Sequence, residues 1–345
     1  MPHYDFDFQG YIKRRKGEGE GEDRPGAAYA YPGDLKVLRT LGRVTPVTLS
    51  VEATVRLWKN VAKAELLGTA VKVSERQFPD IYQATRRCAD KLQIPIPDVY
   101  VAPEVGTLNA QTFGTRDDSY IVLNGVLIDH LSPEELAFVI GHECGHIQND
   151  HVVYTTALYY LMYSANLFVR WIVKPAVVAL QSWSRRAEIT CDRAGLICAG
   201  DLDVGVRALV KLALGSKKLA DEVNIDEYLA QLAETQQSIG RVAEMFRSHP
   251  YLPKRAQALR YFARTHYYLD AISAERTAAR AAGDASPRVG RSLNWCDAKC
   301  SRLISVFSRQ QEEDDLDDGH GGAGGGNQSD DGSGRGEDGD GQTRN

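Results

Sequence analysis

One helix constrains this chain more than any other feature. Ser132-Pro133-Glu134-Glu135 is a capping box with proline at the first helical position, so a helix begins there and should run to about Asp150. Inside it stand His142-Glu143-Cys144-Gly145-His146. Residues four apart on a helix lie about 40° apart around the axis, so both imidazoles can meet one cation. Glu143 projects about 100° from His142, which lets its carboxylate reach a metal-activated water without becoming a ligand. Cys144 points about 200° from His142 and should pack in the core.

A catalytic zinc takes three protein ligands and keeps a fourth position open. The residue six after His146 is Val152, and His151 has the wrong phase, so the third ligand lies elsewhere. Ser184 to Ala199 reads as a second helix, carrying Glu188 and Asp192 on one face. Glu188 can complete a two-histidine, one-glutamate site. Asp192 can accept the second ring N–H of a zinc histidine and so fix its tautomer. Taken alone, the pair would read as solvated carboxylates beside Arg185 or Arg193. Beside a zinc motif that lacks a ligand, the metal reading wins. Cys191 shares neither face and is expected in the core.

Around this pair the pattern is mostly helical. Helices are expected at 49–67, 78–92, 203–214, 225–239 and 252–282, with stops at Gly215 and Gly240. Val99-Tyr100-Val101 reads as a strand. Asn109 to Phe113 and Tyr120 to Leu123 read as a hairpin joined by 114–118. Residues 152–169 carry no charge, enough to rank as a membrane-span candidate, but four tyrosines and several hydroxyls fit a buried or amphipathic helix better. Pro175 should kink or end it.

Taken in order, these residues resemble the zinc metallopeptidase family of the HtpX heat-shock proteases and the prenyl-protein endopeptidases, of the gluzincin clan. The matching residues are Asn109-Ala110, Leu131 to Leu136 leading into His142–His146, Ser184-Arg185 through Glu188 and Asp192, then Ser248-His249-Pro250 and Arg255. The resemblance spans about 44 to 265. It implies an α+β fold: a mostly helical gluzincin domain with a small β-sheet beside the active-site helix. It implies one Zn²⁺ per chain, held by His142, His146 and Glu188. It puts Asn109 and Ala110 on an edge strand that captures extended polypeptide. It puts His249 near the cleft as a donor to the developing oxyanion. Arg255 would orient the site or a substrate carbonyl, or form a surface salt bridge. Ile189 and Cys191 depart from the family, which often has an aromatic and an alanine there. Its membrane members also carry several clear spans. These departures bear on membrane residence and on a prenylated substrate, not on the metal site.

Charge divides the chain. Lys plus Arg is 41 and Asp plus Glu is 46, but Glu312 to Asn345 hold eleven of the acids and only two arginines. The slightly basic remainder carries every motif above, and its charge does not point to nucleic acid. Lys13 to Lys16 form a short basic patch followed by glutamates, read as a solvated leader. No export signal opens the chain, and six cysteines are too sparse for a disulfide framework, so a cytoplasmic setting is expected. Cys296 and Cys300, without a second thiol or histidine pair, are a poor zinc site. The expected organisation is a partly disordered leader (1–43), a metallopeptidase domain (44–265), a helical extension (266–311) and a disordered acidic Gly-rich tail (312–345), which includes His320. The expected function is zinc-dependent metalloendopeptidase activity through a metal-activated water, with Glu143 as general base. The rivals are a non-catalytic zinc scaffold that captures extended polypeptide, and a quality-control protease associated with a membrane through 152–183.

Overall fold

A computed structural model of the chain describes residues 27–41, 64, 68–103, 109–114, 118–163, 167–235, 249–280 and 290–305. The expected helix over 49–67 lies, apart from Ala64, outside the described residues. So do the basic patch, Ser248, Gly240 and the acidic tail.

The sheet is small and mixed. Strands β1 (Val71–Lys72), β2 (Asp98–Ala102), β3 (Ala110–Gly114) and β4 (Ser119–Asn124) lie in the order β1-β2-β4-β3. β3 and β4 are the expected antiparallel hairpin, with Thr112 opposite Ile121, while β2 pairs parallel to β4. Alternation buries Ile121 and Leu123 on one face of β4, and these join the main core.

Among the described helices, α1 is Pro32–Leu41, α2 Pro79–Leu92, α3 Gly125–His130, α4 Pro133–Gln148, α5 Val152–Tyr163 and α6 Leu167–Ala199. Then follow α7 (Leu202–Leu214), α8 (Lys217–Asp221), α9 (Ile225–Thr235), α10 (Leu252–Ala263), α11 (His266–Arg280) and α12 (Leu293–Ile304). α4 starts as its sequence requires. The Ser132 hydroxyl accepts from the Glu135 amide, and the Glu135 carboxylate accepts from the Ser132 amide at 2.7 Å. Glu135 also takes Lys211 Nζ of α7 at 2.7 Å, so one side chain caps α4 and ties it to a neighbouring helix.

α4 and α6 pack at unusually close range. A Cβ at Gly141 would lie 2.5 Å from Cys198 Cβ, and one at Gly145 would lie 2.8 Å from Ala194 Cβ. Both glycines fall on the same face of α4, and their missing side chains let α6 approach. Phe138, Ile140 and Cys144 from α4 join Ile189, Ala194 and Leu196 from α6 in one buried cluster. This contact sets how close Glu188 comes to the histidines.

Two expectations change. Pro175 does not end a helix, because α6 runs from Leu167 to Ala199 as one element. A proline inside a helix removes one backbone bond, and the packing of α6 on α4 and α5 carries the helix past it. The apolar stretch 152–169 falls in α5 (Val152–Tyr163) and in α6 from Leu167 on, with 164–166 outside the described residues. No described helix is long and apolar enough to cross a membrane. The expected helix over 252–282 divides at Thr265. There the Thr265 hydroxyl accepts from the Tyr268 amide, starting α11, and the backbone bridges to Arg291.

Residues 27–41, expected in the leader, pack into the core instead. Tyr29 and Tyr31 are buried, and α1 lies along α6. Cys296 and Cys300 of α12 are also buried, around the Arg193 guanidinium, whose Nη2 bonds Asp297 at 2.7 Å and whose Nη1 bonds the Tyr29 carbonyl at 2.9 Å. The Arg193 cation sits between those thiols, with Nη2 3.4 Å from Cys296 Sγ and 3.8 Å from Cys300 Sγ.

Candidate metal centre

Two helices supply the histidines and the carboxylates, and a third braces them. Glu188 Oε2 lies 3.6 Å from His142 Nε2, and Glu188 Oε1 lies 3.6 Å from His146 Nε2. All three side chains are buried. These separations exceed a good hydrogen bond. Two ligand atoms each about 2.1 Å from one tetrahedral ion would stand about 3.4 Å apart, so the gap suits a zinc ion. Glu188 Oε2 is also buried without a hydrogen bond of good geometry, although Arg255 Nη1 comes to 3.1 Å. The residues present therefore fit a metal.

The imidazole orientations have a cause. His142 Nδ1 lies 3.0 Å from Asp192 Oδ1, which leaves Nε2 turned toward Glu188. Asp192 is itself held by Arg255 of α10, through Nε to Oδ2 at 2.8 Å and Nη2 to Oδ1 at 2.6 Å. Arg255 is 7% exposed, so the surface salt bridge weighed for it does not occur. It forms a buried fork between Asp192 and Glu188 instead.

The charges are arranged to keep both carboxylates ionised. Burial alone would push the Glu188 carboxyl up, but the His249, Arg255 and His142 charges outweigh it and hold it well below the usual carboxylate range. Asp192 is lowered in the same way, its burial being offset by Arg255 and His142. Burial would lower His142, and Glu188 with Asp192 reverse that and leave it raised.

A second donor lies close. One ring nitrogen each of His142 and His146 and the Sγ of Cys191 stand within 4.8 Å of one another. Cys191, expected only as core, is buried but also borders the centre, with Sγ 3.6 Å from His151 Nδ1. A sulfur ligand must be a thiolate. Burial and the carboxylates of Glu188, Glu143, Asp192 and Asp34 push this thiol well above its ordinary value. Glu188 is already ionised beside the two imidazoles, whereas Cys191 would have to lose its proton to become a ligand.

The remaining expected residues fall around this centre. Glu143 is buried and accepts from the Thr112 hydroxyl at 2.6 Å. His249 Nε2 lies 3.5 Å from Glu188 Oε1, yet its side chain is 59% exposed, so it borders the open side. Ala110 opens the edge strand β3, and the carbonyl of Asn109 pairs with the Asn124 amide. From β3, Thr112 makes a hydrogen bond to the Glu143 carboxylate.

Sequence reasoning missed Thr112, whose only signal was its place in a strand ahead of the motif. It also missed a buried support behind His146. The His146 ring meets the His151 ring, His151 Nε2 lies 3.4 Å from Asp34 Oδ2, and Asp34 accepts from the Thr190 hydroxyl at 2.8 Å. Asp34 lies in the expected leader, where no local pattern marks it.

Comparison with known proteins agrees with this geometry. The chain is 37% identical over 171 residues to the plastoglobule-localized metallopeptidase 48, chloroplastic, of Arabidopsis thaliana, covering 48% of this chain and 49% of that protein. It thus spans about half the length of that relative. It is 26% identical over 228 residues to a protease HtpX homolog of Bifidobacterium longum, covering 55% of this chain and 72% of the other. No solved structure matches. Residues 75–263, which hold His142, Glu143, His146, Glu188, Cys191 and Asp192, match the model of peptidase family M48, and the chain belongs to that family.

Proposed function

We propose that this chain is a zinc-dependent metalloendopeptidase that hydrolyses extended polypeptide, with His142, His146 and Glu188 as metal ligands and Glu143 as general base. The observation that carries it is the pair of 3.6 Å separations between the Glu188 oxygens and the two Nε2 atoms. Zinc bound there would lower the pKa of a coordinated water and polarise the scissile carbonyl. Glu143 accepts the proton released on attack and passes it to the leaving amine. Thr112 holds the Glu143 carboxylate in one orientation. Asp192 fixes the His142 tautomer, and Arg255 fixes Asp192. His249, on the open side, donates to the oxygen that becomes negative. The names of the relatives, a metallopeptidase and proteases, support the same reaction.

Metal analysis and cleavage of an unfolded protein by wild type and Glu143→Gln test this together. The expected result is about one zinc per chain in both, with cleavage by the wild type alone. A chain without zinc sinks the ligand assignment. Equal cleavage by Glu143→Gln sinks the role of the base. Zinc and polypeptide binding without turnover in the wild type identifies a scaffold instead.

A further inference from the structure

β3 ends the sheet, so one of its edges carries backbone groups that β4 does not use. The register identifies them. The Asn124 amide donates to the Asn109 carbonyl at 3.1 Å, so these two residues form a hydrogen-bonded pair. Such pairs alternate along an antiparallel ladder. Gln111 and Phe113 therefore face β4, while Ala110, Thr112 and Gly114 turn their N–H and C=O groups outward.

α5 occupies part of that edge. The Thr155 hydroxyl packs 3.3 Å from the Thr112 carbonyl, while its proton has a nearer acceptor in the Val152 carbonyl of the same helix at 3.0 Å. The Gly114 amide donates to Thr156 Oγ1 at 3.1 Å, and the same hydroxyl reaches the Gly114 carbonyl at 3.5 Å. The Phe113 ring meets Tyr159 edge-on at 5.1 Å, which holds the helix against the strand. Gly114 and Thr156 are buried as a result. Upstream, the outward groups of Ala110 and the Thr112 amide meet no such hydroxyl among the described residues.

We propose that α5 closes the strand edge at Thr112, so that the site takes long polypeptide on one side of the scissile bond and only about two residues on the other. The hydrolase reading above supplies the position of that bond. Thr112 bonds the Glu143 carboxylate, so the open end at Ala110 and the closed end at Gly114 flank the reacting carbonyl. Antiparallel addition, the commoner pairing, sends the N-terminal residues of the substrate toward Gly114. They meet Thr155 and Thr156 where free backbone would be needed. Residues after the scissile bond run past Ala110 and are not limited in length. The substrate class is an extended polypeptide cut close to its N-terminus, and Thr155 and Thr156 determine that choice.

The test uses two peptide series that share a cleavable core, one lengthened at its N-terminus and one at its C-terminus. Zinc-loaded wild type gives kcat/KM and product masses, and zinc-loaded Glu143→Gln gives affinities by fluorescence anisotropy. N-terminal lengthening beyond about two residues should lower both kcat/KM and affinity about tenfold, the loss of one or two backbone hydrogen bonds. C-terminal lengthening should lower neither. Thr155→Ala/Thr156→Ala should recover part of the loss; the wild-type series decides the matter if that variant folds poorly. Equal tolerance at both ends, or a penalty at the C-terminal end alone, overturns the proposal. Asymmetric binding without turnover of any peptide supports this proposal and sinks the hydrolase reading.

Discussion

Asp192 and His142 are joined across two helices, with Asp192 Oδ1 3.0 Å from His142 Nδ1. Both oxygens of that carboxylate are also bonded by Arg255, so the carboxylate cannot turn away from the ring. Asp192→Asn keeps the shape but lets the wrong tautomer form. The expected result is about 10–100-fold weaker zinc binding, measured by competition with a chromogenic chelator. Unchanged affinity would remove Asp192 from the centre.

Gly145 lets α6 approach α4, since a Cβ there would lie 2.8 Å from Ala194 Cβ and 3.1 Å from Cys191 Cα. Gly145→Ala should destabilise the fold by about 1–3 kcal/mol through overpacking. It should also weaken zinc binding, because Glu188 rides on the displaced helix. Gly215→Ala is the control. That glycine has φ +62 and open space around it, so alanine there costs about 1–2 kcal/mol of backbone strain. Urea unfolding and zinc titration of both variants should show a loss of stability in each and a loss of zinc affinity in Gly145→Ala alone.

Thr112 donates to the Glu143 carboxylate at 2.6 Å. Thr112→Val removes the hydroxyl while filling the same space. The expected outcome is kcat lowered about tenfold with zinc content unchanged, as for the loss of one hydrogen bond to a charged group. Thr112→Ser should restore most of the rate. A Val variant with full kcat would show that Glu143 needs no such partner.

Zinc binding should tighten as pH rises through neutrality. In the zinc-free chain, burial would lower the His142 pKa, but Glu188 and Asp192 outweigh it and the net shift is upward. A raised folded value means that the bound proton stabilises the fold below the ordinary value of about 6.5. That contribution is lost as pH rises through the higher folded value. Zinc competes for the same lone pair, so binding below that value expels a proton. Chelator competition at about pH 6 and about pH 8 should give the tighter complex at the higher pH. The zinc-free thermal midpoint should fall over the same interval, relative to His142→Gln. An affinity that does not move with pH would argue against His142 as a ligand.

Local signals made the two central helices readable. The capping box of Ser132 and Glu135, the four-residue spacing of His142 and His146 and the same spacing of Glu188 and Asp192 are properties of one helix at a time. The hairpin was legible too, because alternation and a polar turn are also local. The start of α6 was not. Pro175 is a strong local breaker, and only packing against neighbouring helices carries the helix through it. Thr265 failed in the opposite direction, since apolar periodicity continues across it while its hydroxyl starts a new helix.

The sequence by itself determined which residue types could hold a metal and on which helical faces they stand, because helix geometry converts spacing into direction. It left open whether the two faces meet. Tertiary structure decided that, through the contact at Gly141 and Gly145 that brings Glu188 to 3.6 Å from both histidines. Tertiary structure also recruited Asp34, Thr112 and Cys191, and it decided between the two readings of Arg255 by making it a buried fork on Asp192. These partners come from segments from 31 to 156 residues apart in the chain, where no periodicity links them. Burial makes their hydrogen bonds and charges strong, and burial exists only once the helices have packed.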